Sequence, residues 1–279
     1  MKKIISFLIV FIQASLLSCQ NSPNKDEVII QKEVAVSESK TPKMKVEVWS
    51  DIMCPFCYIG KRHFEAALEK FEHAQDIELV WHSYQLDPTL PKLASKLNAY
   101  QYLAQHKGIS YEESVAMHKN VIDMAKEAGL NYNYDKVVVA NSFDAHRLIQ
   151  LAKKHGKGNE VEERLFKAYF IEGKNMSDIS TLILLGKEIG LDETIVKAAL
   201  NSSEFANEVN NDINEASQLG VQGVPFFIFN RKYAISGAEP VTTFLETITK
   251  SYNEWKVTDP AAKLEVIKGK VCKPNNQCK

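Results

Sequence analysis

The sequence predicts an α/β fold in which a small sheet-forming region is interrupted by a large all-helical insertion. Two β-prone runs, residues 46–50 and 77–84, enclose a helical pattern near the start of the region. Two further β-prone runs, residues 225–229 and 233–236, follow much later in the chain. No run between about residues 91 and 200 is β-prone enough to build a sheet. The predicted order is therefore β, α, β, a helical block, then α, β, β, α.

The first three elements follow from the spacing of apolar side chains. Residues 46–50 alternate in the manner of a strand, and residues 62–71 place apolar side chains on one face of a helix. Residues 77–84 alternate again, until Leu86-Asp87-Pro88 breaks the pattern. These runs predict a β-α-β unit.

Apolar periodicity of about 3.6 residues predicts helices through the middle of the chain, separated by glycines. The predicted helices span residues 95–106, 111–128, 142–155, 159–169, 179–189, 192–200 and 203–219. Residues 137–140 are β-prone but isolated, so no strand is predicted there. The runs 225–229 and 233–236 are separated by three polar residues and predict an antiparallel hairpin, and residues 241–255 predict a last helix.

The N-terminus has the pattern of an export signal. Lys2 and Lys3 precede an apolar run, residues 4–17, that is short for a membrane span. The run ends in Leu16-Leu17-Ser18-Cys19, which resembles a bacterial lipobox, so Cys19 is predicted to be the lipidated first residue of the mature protein. The alternative is an ordinary cleavable signal with a chance cysteine. We therefore expect a signal peptide over residues 1–18 and a lipid-anchored protein of the bacterial cell envelope, facing the periplasm or the exterior.

A polar tether is expected over residues 19–43, disordered by composition, with a short helix over 27–36 as the alternative. The composition otherwise suits a globular protein, with 45% apolar residues in 279. The net charge of −1 gives no electrostatic footprint for nucleic acid, which excludes that class of partner. No cofactor and no metal are predicted.

The motif Cys54-Pro55-Phe56-Cys57 lies between the first strand and the first helix. The unsatisfied N–H groups and the positive dipole at a helix N-terminus favour the thiolate of Cys54. Cys57, one turn further, can close a disulfide on it. A structural disulfide is an alternative, and a zinc half-site would need two more ligands, for which Cys272 and Cys278 are the remaining thiols. The placement favours a reversible dithiol.

Several stretches of the sequence resemble motifs of the DsbA superfamily of thiol oxidoreductases and follow one another in the same order as in that superfamily. Within it the chain is similar to the FrnE-like branch, which is related to 2-hydroxychromene-2-carboxylate isomerases and kappa-class glutathione transferases. The matching stretches are residues 51–60, 141–148, 220–227 and 235–240. The resemblance implies a thioredoxin fold with a large all-helical insertion domain: thioredoxin-fold parts over 44–90 and 203–256, and the insertion over 91–202.

The resemblance also implies roles for individual residues. Cys54 would be the attacking thiol, Cys57 the resolving thiol and Pro225 a cis-proline facing them, where a trans proline opening a strand is the alternative. Val224, Pro55 and Phe56 would contact substrate, with the Val224 backbone offering hydrogen bonds to an extended peptide. A glutathione site is not implied, because those relatives use a serine-type site and this chain has cysteine at both positions.

The sequence does not decide the roles of other polar residues near these motifs. Asn141, Asp144, His146 and Arg147 would either cap and link a helix of the insertion or line the substrate groove. His63 and His82 are expected to be structural or exposed. Asp51 would oppose the helix dipole if its charge pointed at the Cys54 sulfur.

The C-terminal tail, residues 257–279, carries a second pair, Cys272 and Cys278. Pro274 and Asn275 favour a turn that would bring the two sulfurs together. The pair would be either a structural disulfide or an auxiliary redox pair that exchanges electrons with Cys54 and Cys57, with metal binding as the remaining alternative.

These features predict an extracytoplasmic, membrane-tethered thiol-disulfide oxidoreductase that forms, reduces or isomerises disulfides in proteins. Its partners would be thiol- or disulfide-containing proteins, a redox partner protein and, through Cys19, a membrane. The alternatives are a glutathione-dependent isomerase or transferase acting on a small aromatic molecule, and a non-catalytic lipoprotein that binds peptides.

Overall fold

A computed structural model describes residues 42–258. The predicted signal peptide, lipidation site Cys19 and most of the tether, and the tail pair Cys272 and Cys278, lie outside the described residues. The strands are β1 (Met44–Ser50), β2 (Ile77–Ser83), β3 (Phe226–Phe229) and β4 (Tyr233–Ser236). The helices are α1 (Pro55–Leu68), α2 (Ala99–Lys107), α3 (Tyr111–Glu127), α4 (Phe143–Lys154), α5 (Gly158–Phe170), α6 (Ile179–Glu188), α7 (Glu193–Leu200), α8 (Ala206–Gln218) and α9 (Val241–Thr258), with a 3-10 turn at Ala74–Asp76.

The four strands form one sheet in the order β2-β1-β3-β4. β1 runs parallel to β2, with Val48 opposite Trp81, and antiparallel to β3, with Val48 opposite Phe227. β3 and β4 form the predicted hairpin. Since β1 has neighbours on both edges and helices on both faces, nearly all of its side chains are buried. The sheet therefore joins the first and last parts of the chain.

Helices α1 and α9 cover one face of the sheet. Their aromatic rings meet that of Phe227 on β3, whose centroid lies 5.7 Å from that of Phe64 and 4.8 Å from that of Phe244. Helix α8 packs on the other face, where Trp49, Ala216 and Ile228 form a small buried cluster. The thioredoxin-type arrangement expected from the sequence is confirmed.

Helices α2 to α7 form the insertion between β2 and α8. Their apolar core, which includes Phe166 and Phe170, also contains Cys54, Cys57 and Tyr58 from the start of α1. The dithiol is therefore covered by the insertion rather than by the core of the sheet.

Helix α1 begins at Pro55, ahead of the apolar pattern of residues 62–71, and two later helix starts differ from the sequence prediction by three residues or more. α2 begins at Ala99 rather than residue 95, because the Asn98 side chain accepts from the Gln101 N–H while the Gln101 side chain accepts from the Asn98 N–H. α8 begins at Ala206 rather than residue 203, because Phe205 adopts a φ of 65° that no helix continues through. Among residues 42–258, no helix combines the length and apolar character needed to cross a bilayer.

Candidate active site

The backbone around the Cys-x-x-Cys motif places both sulfurs at the start of α1. Cys54 is the N-cap residue, with extended φ and ψ of −86° and 112°. Pro55 occupies the first helical position, where its missing N–H costs no helical hydrogen bond. The Cys57 N–H donates to the Cys54 carbonyl at 3.1 Å, which closes the first turn.

The two sulfurs have different surroundings. Both residues are free cysteines, 3% exposed at Cys54 and 1% at Cys57. Burial raises the pKa of the Cys57 thiol well above its usual value, and the neighbouring Cys54 sulfur raises it further. Cys57 therefore keeps its proton at neutral pH.

Pro225 lies beside the dithiol, as predicted. The Val224–Pro225 peptide bond is cis. The Cys54 thiol donates to the Val224 carbonyl, with 3.3 Å between sulfur and oxygen. A Cβ on Gly60 would lie only 3.1 Å from the Pro225 Cγ, so the absence of a side chain there lets the loop approach α1. The chain thus joins residues about 170 positions apart into one site.

A cavity of about 410 Å³ adjoins Cys54. Cys54, Pro55 and Phe56 line it from α1, and Gly223 and Val224 from the proline loop. The opposite wall comes from α2, α3 and the loop that follows α3. Phe56, Leu86 and Met117 line it and are also exposed. The predicted substrate-contacting residues therefore surround a real cavity, largely apolar in character.

Comparison with known proteins decides the family. The profile of the DSBA-like thioredoxin domain matches residues 45–249. The chain belongs to the DSBA-like thioredoxin domain family. This confirms the resemblance seen in the sequence, and it makes the protein a disulfide oxidoreductase of the DsbA type.

Individual proteins also resemble this DsbA-family protein. A crystal structure of a probable DsbA oxidoreductase from Streptomyces coelicolor is 35% identical, with a TM-score of 0.72, covering 85% of this chain and 98% of its own. An uncharacterised Bacillus subtilis protein, YwbO, is 29% identical over 73% of this chain and 95% of its own. A cytosolic disulfide reductase, DsbM from Pseudomonas aeruginosa, shares the fold at 15% identity and a TM-score of 0.52, covering 76% of this chain and 97% of its own.

Asp51 is buried in this DsbA-family protein, and its carboxylate is bound by backbone N–H groups. Its carboxylate accepts from the Met53 N–H at 3.2 Å and from the Leu86 N–H at 2.8 Å. His146 Nε2 lies 3.4 Å from the same carboxylate. Asp51 therefore connects the loop before α1 to the segment after β2 and to α4.

The polar residues around the start of α4 mostly hold the insertion together. The Asn141 side chain accepts from the Phe143 N–H at 2.9 Å and donates to the Leu90 carbonyl at 2.7 Å. Arg147 pairs with Asp144 at 2.8 Å and donates to the Glu204 carbonyl at 2.8 Å. The capping and linking role is correct for these three residues, none of which lines the cavity.

Two acidic residues of α5 are important here and were not singled out from the sequence. Glu163 accepts from the Tyr58 hydroxyl at 2.6 Å and from Lys61 Nζ at 2.8 Å, and it also pairs with Arg62. Burial alone would raise the Glu163 pKa, but these partners lower it to about 2. Glu163 thereby ties the helix that carries the dithiol to the insertion.

Glu162, by contrast, is 1% exposed, and burial raises its pKa to about 7. Its Oε2 has no hydrogen-bond partner within residues 42–258. A signal was available, because Glu162 falls on the same helix face as Leu165 and Phe166, where an apolar residue is expected.

His63 and His82 have structural surroundings, as expected. His63 Nδ1 contacts the Glu239 carbonyl at 2.8 Å. His82 stacks on Trp49 and lies 2.8 Å from an Asp212 oxygen. His82, Asp212 and Glu215 could offer a metal ion three ligand atoms. Two cations already face these carboxylates, however: Arg231 pairs with Glu215 at 2.7 Å and Lys153 lies 3.9 Å from Asp212. We assign no metal to them.

Proposed function

We propose that the protein is an extracytoplasmic, membrane-tethered oxidoreductase that exchanges disulfides with protein substrates through Cys54 and Cys57. The observation that supports this best is the contact between the Cys54 sulfur and the Val224 carbonyl at the wall of a cavity. Cys54 lines that cavity, whereas Cys57 is buried beneath it and keeps its proton. Cys54 is therefore the sulfur that meets substrate.

In the oxidising direction a substrate thiolate attacks the Cys54 sulfur of the Cys54–Cys57 disulfide. A substrate–Cys54 disulfide forms and Cys57 leaves as a thiolate, which takes up a proton because of its high pKa. A second substrate thiolate then attacks the substrate sulfur and releases Cys54. In the reducing direction Cys54 attacks a substrate disulfide, and Cys57 loses its proton and resolves the mixed disulfide.

The central test uses three variants of the full chain in an insulin-reduction assay and a scrambled-ribonuclease assay. Cys54→Ser should abolish turnover, and Cys57→Ser should accumulate a substrate–Cys54 disulfide visible by mass spectrometry. Replacing both Cys272 and Cys278 with Ser should leave this chemistry intact if that pair is structural. Full turnover by Cys54→Ser would overturn the mechanism. A glutathione-dependent conversion of an aromatic molecule that survives Cys57→Ser would favour the isomerase or transferase alternative.

The reduction potential of the Cys54–Cys57 pair decides the direction. Equilibration with glutathione buffers would give about −120 mV for a disulfide donor such as DsbA, and about −270 mV for a reductase such as thioredoxin. Electron relay through the tail pair would be supported by two observations together: a low potential for the Cys54–Cys57 pair, and a change in the redox state of Cys272 and Cys278 during the same equilibration.

The membrane tether rests on the lipobox-like run that ends at Cys19. Cells labelled with a clickable fatty acid should incorporate label into the native chain and not into Cys19→Ala. Labelling of both proteins, or of neither, would remove the lipid anchor from the proposal and leave the dithiol chemistry standing.

A further inference from the structure

The wall of the cavity opposite the dithiol is built by the hairpin of helices α2 and α3 and by the loop after α3. Leu103 and Val121 line the cavity from the two helices, and Tyr134 and Val139 line it from the loop. The cavity volume of about 410 Å³ lies within the range of small-ligand sites, about 300–1,000 Å³. A short aliphatic group attached to the substrate sulfur would leave most of this apolar space unfilled.

One polar side chain in this wall has unused hydrogen-bonding capacity. His118 lines the cavity and is 7% exposed. Its Nδ1 lies 2.8 Å from the Ser114 carbonyl, which can only accept, so Nδ1 carries the proton. Burial lowers the His118 pKa, which keeps the ring neutral. Nε2 is then an acceptor, and it has no hydrogen-bond partner among the described residues.

The His118 ring is held in place by aromatic neighbours. Its centroid lies 4.7 Å from that of Tyr100 and 4.4 Å from that of Tyr134, both edge to face. A fixed acceptor in an apolar wall selects ligands with a polar hydrogen at a matching position, because any other ligand that displaces water from Nε2 leaves that nitrogen without a hydrogen-bond partner.

We propose that this cavity binds an aromatic group attached within a few bonds of the substrate sulfur, and that His118 Nε2 accepts a hydrogen bond from a polar hydrogen on that group. The inference rests on the proposed function, since it names the substrate class of the same dithiol. The aromatic group belongs either to a small thiol or to a residue next to a substrate cysteine, and the two sources share this chemistry.

In the test reaction, Cys54 of the reduced enzyme loses its proton and attacks a symmetric disulfide RSSR, which gives a Cys54–SR disulfide and one RS⁻. Cys57 then loses its proton and attacks the Cys54 sulfur, which gives the Cys54–Cys57 disulfide and a second RS⁻. The enzyme loses two electrons, the disulfide gains them, and the protons of Cys54 and Cys57 leave with the two released thiols.

The test measures the rate at which reduced full-length protein is oxidised by five disulfides. Three are small: bis(2-hydroxyethyl), dibenzyl and bis(4-hydroxybenzyl) disulfide, in each of which the sulfur sits on a saturated carbon, so that their intrinsic reactivities are similar. Two are dimers of blocked dipeptides, Cys-Tyr and Cys-Ser, which separate a peptide source from a small-molecule source. Rates are divided by those of free dithiothreitol with the same disulfide.

For the native protein we expect the 4-hydroxybenzyl compound to react at least about tenfold faster than the hydroxyethyl compound. Val121→Trp, which fills the cavity, should reduce this ratio to about one, and Leu103→Trp provides a second test if that variant does not fold. Leu184→Trp, the same substitution as Leu103→Trp but at an exposed position on α6, should keep the native ratio. In His118→Phe the normalised rate with the 4-hydroxybenzyl disulfide should no longer exceed that with dibenzyl disulfide. The rate with dibenzyl disulfide should still exceed that with the hydroxyethyl disulfide.

The outcomes separate the two levels of the proposal. Equal normalised rates for all five disulfides would overturn the inference and leave the proposed function standing. A failure to react with any disulfide would overturn both. A preference for Cys-Tyr over Cys-Ser without a preference among the small compounds would assign the cavity to peptide side chains, and the reverse would assign it to small thiols.

Discussion

Glu162 makes the stability of this protein depend on pH in a direction that can be measured. Burial on α5 raises its pKa from 4.5 to about 7, against the opposing effects of His146, Lys61 and Lys153 and with a small contribution from Asp51 in the same direction. Between these two pH values the folded protein holds a proton that the unfolded chain has released. The free energy of unfolding therefore falls as pH rises from about 4.5 to about 7 and levels off above.

A rise of this size corresponds to about 3 kcal/mol of stability, present at acidic pH and lost at alkaline pH. Glu162→Gln keeps the shape of the side chain and removes the charge. Relative to the native protein, the variant should gain about 2–3 kcal/mol in free energy of unfolding between pH 5 and pH 8.

Urea unfolding of both proteins at several pH values, with the cysteines kept reduced, measures this difference. Glu160→Gln on the exposed side of the same helix is the matched control and should follow the native curve. If the free energies of unfolding of the native protein and of Glu162→Gln changed in parallel with pH, the reasoning would be refuted. A carboxyl that is protonated in the folded protein and ionises on unfolding must make the two curves diverge.

Three further predictions concern the contacts around α1. Gly60→Ala adds a Cβ 3.1 Å from Pro225. The rate of insulin reduction should therefore fall severalfold, while the midpoint of thermal unfolding stays within a few degrees of the native value. Unchanged turnover would show that the loop carrying Pro225 moves to make room for the added methyl group. Glu163→Gln leaves the buried Lys61 with one carboxylate fewer and should lower the free energy of unfolding at pH 7 by about 1–3 kcal/mol. The loss is limited to this range because the Glu163 side chain is partly exposed and solvent screens its charge. Because the Glu163 pKa is lowered to about 2, this difference should shrink below about pH 4.5, and a constant difference would contradict an ionic origin. Phe64→Ala removes a ring from the core between α1, β3 and α9 and should cost about 3–5 kcal/mol in urea unfolding; a loss below 1 kcal/mol would mean that the core collapses around the gap.

The elements of the fold were predictable from the sequence because their signals are local and repeated. The alternation in β1 and β2 and the apolar periodicity of α3 to α7 each extend over many residues, and they gave the right element types. The start of α2 depends instead on one reciprocal pair of side-chain bonds, and the start of α8 on one positive φ at Phe205. Single-residue features of this kind shift a boundary without disturbing the pattern around it.

The site was predictable as far as short motifs describe it. The proximity of Cys54 and Val224 followed from the family resemblance, and the structure places them in contact. The wall formed by α2 and α3 was not predicted, because which helices of the insertion cover the dithiol depends on tertiary packing. His118 therefore carried no local signal, whereas Glu162 carried one in its position on an apolar helix face.

The pairing of β1 with β3 also has a consequence during synthesis. Val46 pairs with Phe229, so the central strand gains this neighbour only after the ribosome has added the 180 or so residues between them. At about 5–20 residues per second this takes roughly 10–40 s. Cys54 and Cys57 emerge at the beginning of that interval and the Val224 carbonyl at its end. The nascent chain thus carries its thiol pair before the pocket and the partner loop exist, and until then its reactivity is that of two cysteines on an unfinished polypeptide.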